Sequence, residues 1–148
     1  MIETTGGVKD FDLYTARPDG TDLVRLTKSG GYEQFATWSP DGARILFTRS
    51  DHYEAYAQDL YVMDADGSNE RLLTTWPGFD SFPVWSPDGS WIAFASDRDA
   101  SLQQRQAIQA NGAFTGISTY VMRADGSDVQ RVFTATDGEA LLPGSWRP

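Results

Sequence analysis

Residues 82–95 read Phe-Pro-Val-Trp-Ser-Pro-Asp-Gly-Ser-Trp-Ile-Ala-Phe-Ala, and residues 35–48 read Phe-Ala-Thr-Trp-Ser-Pro-Asp-Gly-Ala-Arg-Ile-Leu-Phe-Thr. Trp38 and Trp85 are therefore 47 residues apart within one repeated block. A second block keeps the same period: Leu13-Tyr14 leads to Thr27, and Leu60-Tyr61 leads to Thr74. A third copy, Thr119-Tyr120-Val121-Met122 followed by Asp125-Gly126, is displaced by 59 residues, so an insertion lies between Asp99 and Ser118. Gly144-Ser145-Trp146-Arg147-Pro148 resembles the opening of one more Trp-Ser-Pro block.

Turn chemistry explains the motif. Proline presets φ at the second position of a turn, serine and aspartate bond local backbone, and glycine takes the left-handed position that closes a short hairpin. Ala-Asp-Gly-Ser at 65–68 does the same between the next two strands. The flanking segments, such as Ile45-Leu46-Phe47-Thr48 and Leu60-Tyr61-Val62-Met63, carry the β-branched and aromatic residues that strands favour. Each repeat reads as four short strands, a to d, with a ending at Trp and d ending at Thr. Four strands in 40 to 50 residues is the period of a β-propeller blade.

Counted in order, residues 1–34 hold strands b, c and d of a partial blade, 35–81 a complete blade, and 82–140 another with the insertion 99–118. Residues 141–148 add a lone strand a, and the whole of 1–148 is one all-β half-propeller domain. Three blades would leave two large apolar faces uncovered, since propellers typically have 4–8. The expectation is a two-fold homodimer of six blades, in which each C-terminal strand completes the partner's first blade. A fragment of a longer propeller, or an engineered half-propeller, is the alternative.

The blocks Asp59-Leu60-Tyr61-Val62-Met63-Asp64-Ala65-Asp66-Gly67 and Val84-Trp85-Ser86-Pro87-Asp88-Gly89 resemble the TolB-type WD-like β-propeller repeat. The resemblance implies a ring of six or sometimes seven blades. It also implies a place among periplasmic interaction proteins, peptidase gating domains or polysaccharide lyases. A periplasmic or extracytoplasmic location follows from it, although no signal-peptide pattern follows Met1.

The formal charge of −9 disfavours nucleic acid and anionic membrane surfaces. No apolar run is long enough to span a bilayer. With no cysteine there is no disulfide and no thiolate chemistry. Neither a nucleophile elbow, a His-Glu-x-x-His helix nor a phosphate loop occurs, so the expectation is a non-enzymatic protein without cofactor. Asp64-Ala65-Asp66-Gly67 is read as a turn, because a calcium loop needs alternating carboxylates and a later bidentate glutamate.

Function is expected in what the repeat does not share: the b–c and d–a loops, which emerge together on one face. The candidate ligand-binding residues there are Arg49, His52, Tyr53, Trp76, Phe79, Asp80, Asp97 and Arg98. Aromatic faces mixed with amide, guanidinium and carboxylate groups suit a peptide, protein or glycan ligand. The bland alternative has the aromatics pinning loops to the rim. A scaffold without ligand is one further reading. A metal- or small-ligand-binding ring with Asp51, Asp80 or Asp97 at the channel mouth is another. The insertion is either a hairpin turned at Asn111-Gly112 or a short Ala/Gln/Arg-rich helix.

Overall fold

Each Asp-Gly corner closes a hairpin in the way the motif requires. The computed structural model describes residues 2–5, 11–51, 56–111, 115–134, 143–144 and 146. Gly42 and Gly89 both take φ of 70°, a conformation that residues with a Cβ resist. Around them Ser39 Oγ donates to Asp41 Oδ1 at 2.5 Å, and Ser86 Oγ donates to Asp88 Oδ1 at 2.6 Å. Asp19, Asp66 and Asp125 hold the other corners by accepting from Thr21, Ser68 and Ser127. These hydrogen bonds favour the ionised form, and with Ser86 and Ser90 both donating, Asp88 falls to about 2.

Among the described residues the corners separate eleven strands in three antiparallel sheets. The first holds β1 (Ile2–Thr5), β2 (Asp12–Thr15) and β3 (Val24–Arg25). The second holds β4 (Tyr32–Trp38), β5 (Arg44–Ser50), β6 (Asp59–Asp64) and β7 (Arg71–Leu72). The third holds β8 (Asp80–Trp85), β9 (Trp91–Ser96), β10 (Ser118–Arg123) and β11 (Gln130–Phe133). Within each sheet spatial order follows chain order, the meander of a propeller blade. Among the described residues the first sheet has three strands and the other two have four. Strand a of the middle blade starts three residues earlier than the repeat boundary suggested, at Tyr32.

Blades stack through the two faces of each strand. Ile45, Phe47 and Met63 turn toward Leu13 of the first blade, while Leu46, Leu60 and Val62 meet Trp85, Ile92, Phe94, Tyr120 and Met122 of the third. The repeated Trp and Tyr positions belong to this packing. Tyr61 stacks on Phe47 at 5.7 Å between centroids, and Tyr120 lies 5.8 Å from Phe94. Burying one such side chain contributes roughly 1.5–3 kcal/mol.

Both inner strands contain a bulge. The register skips from Gln34 to Thr37 and from Ser81 to Val84, and within each skip a phenylalanine adopts φ of 52°. The two rings, Phe35 and Phe82, lie 4.4 Å apart. A bulky residue in the left-handed region is strained, at a cost on the order of 1–3 kcal/mol.

The insertion forms a helix, α1 (Leu102–Asn111). Ser101 and Gln104 start it as a capping box: Gln104 N–H donates to Ser101 Oγ at 3.2 Å, and Ser101 N–H donates to Gln104 Oε1 at 2.8 Å. Ile108 anchors it on Phe79, Ala95 and Ile117. Of the expected C-terminal strand a, most residues lie outside those described. Trp146 is described, and its indole N–H donates to the carbonyl of Val84 on β8 at 3.2 Å.

Candidate functional site

The loop face is built where strand d of one blade meets strand a of the next. At the first junction every buried acid has a cation. Thr27 Oγ1 accepts the N–H of Leu13 at 2.9 Å and donates to Glu33 Oε2 at 3.2 Å. Glu33, with no exposed surface, also takes Arg49 Nε at 2.6 Å and the Ser29 hydroxyl. Arg49 continues to Glu70 in a bidentate pair at 2.6 and 2.7 Å, its guanidinium 4.5 Å above the Tyr61 ring. These two carboxylates raise its already high pKa. Beside them Arg25 Nη2 donates to Asp12 Oδ2 at 2.5 Å.

At the second junction Thr74 repeats the role of Thr27, accepting the N–H of Leu60 at 3.0 Å. Asp80, in the place of Glu33, receives Arg98 Nη2 at 2.9 Å. Arg98 lies over Tyr120 at 4.9 Å and over Phe94 at 5.2 Å. Asp97 is the hub of the loops. Its Oδ1 accepts the indole N–H of Trp76 at 2.7 Å and the backbone N–H of Phe79 at 2.9 Å. Its Oδ2 accepts the Tyr56 hydroxyl and lies 3.5 Å from Arg105 Nε. Gly78 leaves room for the pairing of Trp76 with Asp97: a Cβ there would sit 2.5 Å from Asp97 Oδ1 and displace the carboxylate. Burial raises the carboxyl pKa of both Asp80 and Asp97 against these partners.

Asp59 stands apart. Among the described residues its carboxylate has one hydrogen bond, a long one, accepted from Thr74 Oγ1 at 3.4 Å. Burial first, and then the charge of Asp80, push its carboxyl up to about 6, with Asp51 adding to the effect.

The expected site residues thus fall into three groups. Phe79, Asp80 and Asp97 are buried, 6%, 0% and 0% exposed, and hold the loops together. Arg49 is engaged with Glu33 and Glu70. Trp76 and Arg98 remain at the surface of an open cleft of about 260 Å³, shared with Leu73, Thr74, Thr75, Gly126 and Val129. His52 and Tyr53 lie outside the described residues. Among the described residues no group of three His, Cys, Asp or Glu side chains is placed to hold a metal. No helix among the described residues is long and apolar enough to cross a membrane. Reading the sequence for unrepeated loops missed Asp59, which sits at a repeated strand position.

No family model matches the chain, and no curated protein matches it. Solved structures do. The chain is similar to a TolB from Agrobacterium tumefaciens, described as putative, at 25% identity and a TM-score of 0.68, covering 91% of this chain and 46% of that one. TolB from Acinetobacter baumannii gives 18% identity and a TM-score of 0.67 over 95% of this chain and 31% of that one. An oligogalacturonate lyase in complex with manganese gives 19% and 0.55, over 82% and 29%. This chain thus spans less than half the length of these structures. The fold is an all-β propeller of the TolB type, and proteins sharing it include both TolB and an enzyme.

Proposed function

We propose that this chain is a non-catalytic propeller unit that binds a peptide, protein or glycan on its b–c and d–a loop face. The observation that carries the reading is the cleft beside Trp76. There an indole ring, the Arg98 guanidinium and two threonines meet at the junction of two rigid blades. Planar stacking area beside a few fixed polar groups is what such ligands need. Asp97 holds the indole by its N–H, so the ring is preorganised and little side-chain entropy is lost on binding. An extracytoplasmic site of action fits the likeness to TolB.

The unit completes its ring with a second copy of itself. Two observations support this. Among the described residues β1 pairs with β2 and has no strand on its other side. The Trp146 indole sits on the Val84 carbonyl, on the strand a of the third blade.

Peptide and glycan arrays test the binding reading, with Trp76→Ala on each hit. Hits that Trp76→Ala weakens about tenfold or more support it. Hits indifferent to Trp76, or silence on both arrays, would overturn it in favour of a scaffold. Light scattering tests assembly. A particle of twice 16.4 kDa is expected, and a monodisperse monomer rejects the ring of two copies.

A further inference from the structure

The middle blade keeps a pair of acceptors whose donor it lacks. In the sheet register Arg25 is opposite Tyr14 and Leu72 is opposite Tyr61. Tyr14 and Tyr61 are one repeat position, so Leu72 stands where the first blade has Arg25. In the first blade that guanidinium donates to Asp12 Oδ2 at 2.5 Å and to the Thr27 carbonyl at 2.9 Å. Asp59 corresponds to Asp12 and Thr74 to Thr27. The third blade departs the other way: Arg131 is opposite Tyr120, Ser118 replaces the acid, and Arg131 turns to Asp99 at 2.6 Å. Among the three described blades, the middle one alone has the carboxylate without the guanidinium.

Among the described residues no cation replaces it: Arg49, opposite Asp59 in the sheet register, is bound to Glu33 and Glu70. Thr74 Oγ1 is within reach of both Asp59 and Asp80, and one hydroxyl has one proton to donate. Arg98 serves Asp80. Among the described residues buried Asp80 Oδ1 and Gln58 Oε1 have no hydrogen-bond partner, as Asp12 Oδ1 has none in the first blade. No described arginine or lysine forms an ion pair with Asp59. The charged groups that act on it, Asp80 and Asp51, are both acidic.

We propose that Asp59 and the Thr74 carbonyl receive a basic side chain of a bound peptide, an arginine guanidinium taking the place that Arg25 fills in the first blade. Leu72, 40% exposed, offers an apolar ledge for the aliphatic stem of that side chain. Thr74 also lines the cleft of Trp76. The net charge of −9 steers a basic ligand toward the protein. This inference rests on the loop face being the binding face, and it names the ligand class as arginine-containing peptide.

The test is an NMR titration of the full chain with acetyl-Gly-Arg-Gly-amide, using the citrulline peptide as the neutral isostere. The arginine peptide should shift the Leu72 amide and the Trp76 indole N–H. The citrulline peptide should bind about tenfold or more weakly, because it forfeits the charge-assisted bonds. Asp59→Asn should erase that difference. Leu72→Arg, which supplies the missing guanidinium from within, should block the arginine peptide. Affinity should fall as pH drops through about 6, where Asp59 takes up its proton. Equal binding of both peptides, an unchanged preference in Asp59→Asn, or unhindered binding to Leu72→Arg would each overturn the proposal. If array ligands still bind through Trp76 while the arginine peptide does not prefer Asp59, the loop face stands and this receptor falls. If both fail, the binding face itself is wrong.

Discussion

The junction between the first and second blades and the junction between the second and third are cut from one repeat, yet they neutralise their acids differently. At the first, Asp12 and Glu33 meet Arg25 and Arg49, and Glu70 closes the network. At the second, Arg98 pairs with Asp80, and among the described residues no cation pairs with Asp59. The packing beneath is similar, with Phe47 on Tyr61 at one and Phe94 beside Tyr120 at the other. What differs is whether charge has been closed off or left open. A closed network contributes stability and rigidity, whereas an open one costs stability and is a place where a ligand is rewarded for arriving.

Breaking the closed junction should have the largest effect. Glu33→Ala strands Arg49 in a site only 11% exposed and should cost about 3–5 kcal/mol in urea unfolding. A loss under about 1 kcal/mol would mean that Glu70 alone suffices to hold Arg49. Asp97→Ala comes next. It removes the acceptor of Trp76, Phe79 and Tyr56, so a loss of about 2–3 kcal/mol is expected, together with a changed Trp fluorescence as the indole is released. The open junction should respond in the opposite sense. Leu72→Arg should raise stability by about 1 kcal/mol by giving Asp59 its partner, and no gain would mean that the two junctions are not equivalent.

The smallest effect is a pH dependence. Unfolded, Asp59 loses its proton near the ordinary aspartate value of 3.8, whereas in the fold it keeps it to about 6. Across that window the unfolded chain binds fewer protons, so the contribution of Asp59 to stability declines as pH rises and levels off above about 6. Asp59→Asn should remove that decline. Its stability relative to the parent should therefore improve between about pH 4 and about pH 6, read as a difference in urea midpoints. Parallel pH profiles for the two proteins would show that Asp59 titrates normally.

Much of this was legible in the sequence. The Trp-Ser-Pro-Asp-Gly blocks determine turns, strands and blade order, because a proline, an aspartate and a glycine at fixed spacing leave the backbone few alternatives. The helix was not, because Leu102–Asn111 carries a single buried apolar anchor, Ile108, and Asn111-Gly112 serves a hairpin equally well. Asp80 and Asp97 read as loop chemistry because acids are seldom buried. Only the fold shows that Arg98, Arg105 and the indole of Trp76 converge on them. The open junction was within reach of the sequence: aligning the repeats at Tyr14 and Tyr61 already sets Arg25 over Leu72. Hydrogen-bond geometry was still needed to show that Arg25 reaches Asp12.

The left-handed phenylalanines carry a consequence for history. Phe35 and Phe82 share one φ of 52° at one bulge, although the residue that follows is alanine in one case and proline in the other. A strain that survives different neighbours belongs to the blade as a unit rather than to either local sequence. Ancestral reconstruction of a single blade should therefore return an aromatic residue at this bulge before it returns either set of loops.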